Sequence, residues 1–147
     1  MLDGGNDMAR IQHSQQLFLL TATVAMEAEG ETYKGKLAVA YVIMNRASVY
    51  NQTIDQVVLK PFAFSAWNTR GRKHRMQEIP DSAWFEAERA ASSAYYQIEE
   101  DPSLGATHYL NEPLTRSMRK GGDLPAWVSR LHRLVDIGEH SFYVEAR

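Results

Sequence analysis

The segment Glu27-Ala28-Glu29-Gly30-Glu31 places three carboxylates within five residues. Glu27 follows Leu20 and Val24 at helical spacing, so its side chain falls on or beside the apolar face of a predicted helix. Partial burial and the negative end of the helix macrodipole both oppose ionisation, and both are expected to raise the pKa of Glu27. A carboxyl group that keeps its proton near neutral pH can act as a general acid. Periodicity alone leaves open the alternative that Glu27 is a solvated residue at a helix end.

The elements that position this segment follow from apolar spacing, caps and breakers. The predicted elements are, in chain order, helices at 14–28, 36–49, 53–59 and 83–98, and strands at 107–110, 131–137 and 141–144. Ser14 is the expected cap of the first helix and Gly30 its stop, while residues 62–80 are expected to be irregular. Gly138-Glu139 forms the expected turn between the last two strands. The pattern predicts one mainly α domain (α+β) with a small antiparallel sheet.

The segment around Glu27 belongs to a longer series of motifs. They are EAEGE at 27–31, GKLAVA at 35–40, VIMNR at 42–46, PFAFS at 61–65, DPSLGATHYLN at 101–111 and IGEHSFY at 137–143. In this order the motifs resemble those of the SleB/CwlJ-type cell-wall hydrolases, a family that includes spore-cortex-lytic enzymes and phage lysins. The resemblance covers roughly residues 15–144.

The resemblance implies a lysozyme-like or lytic-transglycosylase-like fold with a cleft. It also implies cleavage of the β-1,4 bond between N-acetylmuramic acid and N-acetylglucosamine in peptidoglycan. The first glutamate of the EAEGE motif, Glu27, is then the general acid and base. Attack by the muramyl 6-hydroxyl would be lytic transglycosylation and attack by water would be muramidase hydrolysis, and the sequence leaves both routes open.

Further site residues are expected from the same motifs. The candidates for substrate binding are Tyr109, Asn111, Phe64, Ser65, His140 and Tyr143, and the candidates for a supporting role are Glu31 and Asn45. Tyr109 and Asn111 alternate along a strand and can present a phenol and an amide to sugar groups. The alternatives are ordinary packing for Tyr109, capping of the turn before Pro113 for Asn111, and bracing of the sheet for His140.

Two other functions compete with glycan cleavage. A metal-dependent N-acetylmuramoyl amidase or peptidase would need a zinc site, for which His108, His132 and His140 are the candidates, although no His-Glu-x-x-His motif is present. A non-catalytic glycan-binding module would keep cleft aromatics without depending on an acid at position 27. Glycan cleavage with Glu27 as the acid is the favoured function, and we expect it to need no metal and no cofactor.

The composition limits the classes of partner. The net charge of -2 gives no sign of the basic surface that nucleic-acid binding needs. The chain has no cysteine, so it has no disulfide framework. We expect a soluble monomer that binds peptidoglycan glycan strands, without stable membrane insertion.

Residues 1–13 are expected to form a flexible segment without a signal peptide, and residues 14–147 are expected to form the catalytic domain. This pattern favours a phage endolysin, made in the host cytoplasm and acting on the wall after release. The basic run Arg70–Arg75 is a candidate contact for anionic wall polymers.

Overall fold

The computed structural model describes residues 4–61, 63–68 and 76–145 of the 147-residue chain. The α-helices used below are α1 (Gly4–Glu27), α2 (Tyr33–Val49), α3 (Ile54–Val58), α4 (Ser65–Asn68), α5 (Asp81–Tyr95) and α6 (Glu112–Met118), and the strands are β1 (His108–Leu110), β2 (Leu131–Ile137) and β3 (His140–Glu145). Short 3-10 helices at Lys120–Gly122 and Ala126–Arg130 precede β2. The predicted mainly helical fold with a small antiparallel sheet is confirmed. Within these described ranges, no helix is both long and apolar enough to cross a membrane.

A stripe of small residues lets α5 lie close to both α1 and α2. Its fully buried members are Ala87, Ala90, Ala91 and Ala94. They recur at three- and four-residue steps, so they share one face of the helix. Because each of these side chains ends at Cβ, the helix backbones can approach closely. Leu20 and Val24 of α1 and Ile43 of α2 fill the core beside this stripe, each with no exposed surface.

β3 is the central strand of a three-stranded antiparallel sheet in the order β1-β3-β2. Tyr109 lies opposite Phe142, and His108 lies opposite Tyr143. Because side chains alternate between faces along a strand, Tyr109, His140 and Phe142 share one face, and His108 and Tyr143 share the other. Phe142 is fully buried in the core shared with the helices, so the first face is the inner one.

Several predicted boundaries are wrong. α1 begins at Gly4 rather than at Ser14, so residues 4–13 are helical and Ser14 is not a cap. The first turns lack apolar periodicity because most of their side chains are exposed, which concealed them in the sequence. α5 begins at Asp81 with Pro80 at its N-cap position, two residues before the predicted start. α4 falls in the segment predicted to be irregular.

The outer face of the sheet carries a cluster of charged and polar groups. The hydroxyl of Tyr143 donates a hydrogen bond to the carboxylate of Glu112. Nη1 of Arg133 lies 3.3 Å from Oε1 of Glu112, and Nη2 of Arg133 lies 2.7 Å from Oδ1 of Asp136. Burial, followed by the hydrogen bond to Glu112, raises the pKa of Tyr143 to about 12.

This pKa predicts a loss of stability in alkali. Above pH 10 the phenol of Tyr143 is ionised in the unfolded chain but still protonated in the folded one, so stability falls as the pH rises toward 12. The slope contributed by this residue approaches about 1.4 kcal/mol per pH unit. We expect the urea-unfolding free energy of wild type to fall more steeply with alkaline pH than that of Tyr143→Phe, which lacks the titrating group. Parallel curves would contradict the raised pKa.

Candidate active site

Glu27 is the last residue of α1, and its side chain is partly buried. The backbone N–H of Ala66, in α4, donates a hydrogen bond of 3.2 Å to Oε1 of Glu27. α4 is fastened to α1 by Trp67, whose indole N–H donates to Oγ1 of Thr23 at 2.8 Å. The predicted position of Glu27 at the end of a helix is therefore confirmed. Its backbone partner lies in a helix that the sequence did not predict.

Tyr109 brings a phenol from β1 to the same carboxylate. Burial, followed by the negative charge of Glu27, raises the pKa of Tyr109 well above its usual value, so the phenol keeps its proton. The ring meets His140 edge-on at 5.0 Å between centroids and Phe142 at 5.9 Å. The structure therefore brings Glu27, Tyr109 and His140 together.

Glu31 and His140 form a nearly enclosed pair beside Tyr109. Oε1 of Glu31 lies 3.1 Å from Nδ1 of His140, and the two side chains are 13% and 10% exposed, respectively. Nδ1 has no solvent contact, and the geometry of this approach is not that of a hydrogen bond. Burial lowers the pKa of His140, although the charges of Glu31 and Glu139 act in the opposite direction. The pair is thus in close contact but is imperfectly satisfied.

Two glycines form the walls around Glu31. A Cβ atom at Gly138 would lie 2.5 Å from Oε2 of Glu31, and one at Gly35 would lie 3.1 Å from its Cβ. Gly138 also has φ +58°, a conformation that L side chains rarely adopt. The backbone oxygen of Glu31 accepts a hydrogen bond from the buried ammonium group of Lys36. The supporting role expected for Glu31 stays a prediction.

Asn45 braces the loop that leads into β1. Its Nδ2 donates 2.9 Å hydrogen bonds to Oδ2 of Asp101 and to the backbone oxygen of Ala106. Oδ1 of Asp101 accepts from the backbone N–H of Ser103 at 2.8 Å, so the loop is tied to itself as well as to α2. Asn45 therefore acts through the loop, and these contacts do not involve Glu27.

Arg46 is a partly buried cation near the site, and the sequence analysis did not single it out. Its Nε donates to the backbone oxygen of Thr107 at 2.5 Å, and its guanidinium lies 5.2 Å from the centroid of the Phe64 ring. Burial lowers the pKa of Arg46, while its attraction to Tyr109 acts in the opposite direction. The sequence did contain a signal for Arg46, because an arginine near the end of the apolar run of α2 is unusual enough to mark it as a candidate.

Two residues expected to contact substrate are enclosed in the structure. Phe64 is 2% exposed, and its ring packs in the core beside the guanidinium of Arg46. Tyr143 is also 2% exposed, and it points to the outer face of the sheet, where it bonds Glu112. The side chain of Ser65 and the basic run 70–75 lie outside the described residues, so their expected roles stay predictions.

The contacts of Asn111 favour the capping alternative. Its Oδ1 accepts a 3.0 Å hydrogen bond from the backbone N–H of Leu114, which caps α6. Its Nδ2 donates to Oε2 of Glu139, in the hairpin turn, at 3.2 Å. Both polar ends of the amide therefore have protein partners, although the residue is partly exposed. A sugar contact at Asn111 would have to compete with them.

The histidines considered for zinc do not converge. His140 lies on the inner face of the sheet beside Glu31, whereas His108 lies on the outer face, 5.7 Å from the ring of Trp127. Among residues 4–61, 63–68 and 76–145, no group of three or more His, Asp or Glu residues has the geometry to hold a metal ion. The described side chains therefore do not provide the ligand set that the amidase alternative needs.

The sequence is similar to known wall enzymes. The profile of a family described as "Cell Wall Hydrolase" matches residues 30–143, a range that begins just after Glu27. Over 126 residues, the chain is 32% identical to a spore cortex-lytic enzyme of Halalkalibacterium halodurans, covering 84% of this chain and 33% of that protein. It is 30% identical over 129 residues to the spore cortex-lytic enzyme of Oceanobacillus iheyensis, covering 84% and 40%. The chain thus spans well under half the length of these relatives.

The fold is similar to that of two solved catalytic domains. The catalytic domain of the Bacillus cereus SleB protein superposes with a TM-score of 0.66 at 28% identity, over 88% of this chain and 90% of that one. The catalytic domain of the germination-specific lytic transglycosylase SleB from Bacillus anthracis gives a TM-score of 0.66 at 27% identity, over 87% and 93%. Both alignments include nearly the whole of the solved domain.

The wall formed by Gly138 is testable by adding one methyl group. Gly138→Ala is expected to lower the free energy of unfolding by roughly 2–5 kcal/mol, from left-handed strain plus the collision with Glu31. Gly121→Ala is the matched control, because Gly121 has φ +83° but its nearest atom lies 3.8 Å from the added Cβ. It should lose only the strain, roughly 1–2 kcal/mol. If urea unfolding gives the same loss of unfolding free energy for both variants, the Glu31 side chain does not need the space beside Gly138.

The cap formed by Asn111 gives a second test. Asn111→Ala is expected to cost about 1 kcal/mol of stability, because the Leu114 N–H loses its acceptor, and to leave the activity of the folded fraction near wild type. Asn111→Ser, which retains a capping oxygen, should recover most of the stability. Urea unfolding and wall lysis are measured on the same preparations. A large loss of activity at unchanged stability would return Asn111 to the list of substrate contacts.

Proposed function

Because the chain belongs to the cell wall hydrolase family, we propose that it cleaves the β-1,4 bond between N-acetylmuramic acid and N-acetylglucosamine in peptidoglycan. Glu27 is the general acid of this reaction. The observation that carries the proposal is the setting of Glu27: a partly buried carboxylate at the end of α1 that accepts a hydrogen bond from the N–H of Ala66. A fixed backbone donor on one oxygen helps to orient the carboxyl group toward a bound glycan.

The proposed chemistry begins with proton transfer from Glu27 to the glycosidic oxygen. The bond from the muramyl C1 to that oxygen breaks through an oxocarbenium-like transition state, and N-acetylglucosamine leaves with a free 4-hydroxyl group. Glu27 is then a carboxylate, and the N–H of Ala66 stabilises the negative charge that develops on it. The same carboxylate next accepts a proton from the nucleophile.

The 6-hydroxyl of the muramyl residue is the nucleophile that we favour. Its oxygen bonds to C1 while its proton passes to Glu27, which yields a 1,6-anhydro sugar and restores the acid. This route needs no second carboxylate, whereas attack by water commonly requires one. The enclosure of Glu31 supports this choice, because its side chain is 13% exposed and faces His140. The likeness to the Bacillus anthracis lytic transglycosylase also supports it.

Replacing the acid is the direct test. Glu27→Gln is expected to lower wall lysis by at least about a hundredfold, because the amide keeps the shape but cannot donate the proton. Glu29→Gln is the matched control, since Glu29 is an exposed carboxylate two positions along the chain, and it should stay near wild type. Thermal melting of both variants checks the fold. A Glu27→Gln protein that keeps more than about a tenth of the activity is incompatible with this role.

Mass spectrometry of the fragments released from purified peptidoglycan identifies the bond and the nucleophile. Anhydro-muramyl ends are the expected products. Reducing muramic acid ends would replace the intramolecular route by attack of water. Freed stem peptides, together with loss of activity in a chelator and its recovery with zinc, would move the amidase function to first place.

A further inference from the structure

Arg46, near the end of α2, is a cation without an acidic partner among the described residues. Its side chain is partly exposed, and within residues 4–61, 63–68 and 76–145 neither Nη1 nor Nη2 forms a hydrogen bond or an ion pair. We propose that these two groups bind a carboxylate on the side arm of a muramyl residue, that is, on its lactyl group or its stem peptide. The inference rests on the proposed function and extends it to recognition of the substrate.

Two contacts fix the direction of the Arg46 guanidinium. Its Nε donates to the backbone oxygen of Thr107 at 2.5 Å, and its Cζ lies 5.2 Å from the centroid of the Phe64 ring. Phe64 is 2% exposed, so this ring is a fixed support. Because a guanidinium is planar, a bond at Nε and a ring beside it orient the whole group and leave Nη1 and Nη2 for another partner. The side chain is therefore held in place before any ligand binds.

Both contacts join Arg46 to segments beside the proposed acid. Phe64 stands two positions before Ala66, whose backbone N–H donates to Oε1 of Glu27 at 3.2 Å. Thr107 directly precedes β1. The guanidinium is thus attached to the segment that holds the acid, where it can meet a substituent on a sugar bound at Glu27.

The surroundings of Arg46 favour an arriving anion. Burial lowers the pKa of Arg46, because its charge has lost part of its hydration. No carboxylate among the described residues compensates for this loss, whereas Arg133 on the outer face of the sheet lies 3.3 Å from Glu112 and 2.7 Å from Asp136. A partly dehydrated cation attracts a carboxylate more strongly than a fully hydrated one does, because water screens the pair less.

Peptidoglycan offers such an anion on the muramyl residue. The sugar rings and their acetamido groups are uncharged, whereas the side arm carries carboxylates. In a peptide-free strand this is the carboxylate of the lactyl group, and in a substituted strand the carboxylates belong to the stem peptide. The paired Nη groups of an arginine match the two oxygens of a carboxylate and can bind both at once. A carboxylate on the side arm is therefore the ligand chemistry that fits Arg46.

The first test removes the charge from the substrate rather than from the protein. Peptidoglycan whose carboxyl groups have been converted to amides keeps the glycan and the peptides but offers no anion. We expect the kcat/KM of wild type to be roughly tenfold or more lower on amidated than on native peptidoglycan, mainly through a higher KM. Equal values on the two substrates would overturn the proposal, and this result does not depend on the folding of any variant.

Arg46→Gln removes the charge from the protein. On native peptidoglycan its kcat/KM should fall roughly tenfold or more, and its ratio of kcat/KM on native to amidated substrate should approach unity. Loss of the Thr107 contact would affect both substrates alike, so a purely structural role would keep the ratio of wild type and overturn the proposal. Arg46→Lys, which keeps the charge but not the paired Nη groups, should retain part of the ratio.

Arg89→Gln is the matched control. The guanidinium of Arg89, in α5, also stacks on an aromatic ring, 4.1 Å from the centroid of Tyr33, but its side chain is exposed and its charge acts on Glu99. This variant has the same net charge as Arg46→Gln and should keep the kcat/KM ratio of wild type. A ratio near unity in Arg89→Gln as well would mean that the loss of any cation has this effect, which overturns the assignment to Arg46.

A third substrate identifies which carboxylate is bound. Strands freed of stem peptides by an amidase carry only the lactyl carboxylate. If Arg46→Gln lowers kcat/KM on these strands as much as on native peptidoglycan, the lactyl group is the ligand. A loss confined to peptide-bearing strands identifies a carboxylate of the stem peptide.

The outcomes separate this inference from the proposed function. If Glu27→Gln remains active, or if the products are freed stem peptides, the proposed function is wrong and the inference falls with it. If Glu27→Gln is inactive and anhydro-muramyl ends are found, while wild type cleaves native and amidated peptidoglycan equally well, the function stands and only the role of Arg46 is overturned.

Discussion

The carboxylate of Glu31 packs where the beginning of α2 meets the hairpin between β2 and β3, and the geometry of the site depends on this contact. The side chain lies between Gly35 and Gly138, with a histidine nitrogen 3.1 Å away. A side chain at Gly138 would collide with the Glu31 carboxylate, which lies against the hairpin at this point. The backbone oxygen of Glu31 accepts from the ammonium group of Lys36, which ties the same residue to α2.

The surroundings of Glu27 follow from this junction. The hairpin also pairs with β1, so Tyr109 lies on the inner face of the sheet beside His140, where the charge of Glu27 raises its pKa. The cation of Arg46 lies below, bonded to the backbone of Thr107 and stacked on the buried ring of Phe64. The acid is held from α4 by the N–H of Ala66, a donor that is in position before any substrate arrives.

Much of the helical part could be predicted because it rests on local rules. The apolar spacing of Leu20 and Val24 identified the buried face of α1. The prediction of helices failed in segments where few side chains are buried. The first turns of α1 have few buried side chains and hence little apolar pattern, and α4 has only four residues, too few for a period to appear.

The sequence by itself determined the family resemblance, the helix that ends at Glu27, and the hairpin around Gly138, because each depends on residues that are near neighbours in the chain. Only the tertiary structure decided which side chains meet. Phe64 was turned into the core, Tyr143 was placed on the outer face of the sheet, and Arg46 was brought over the ring of Phe64. The physical reason is that strand register and helix packing set the direction of a side chain, and both arise from contacts between residues far apart in the chain.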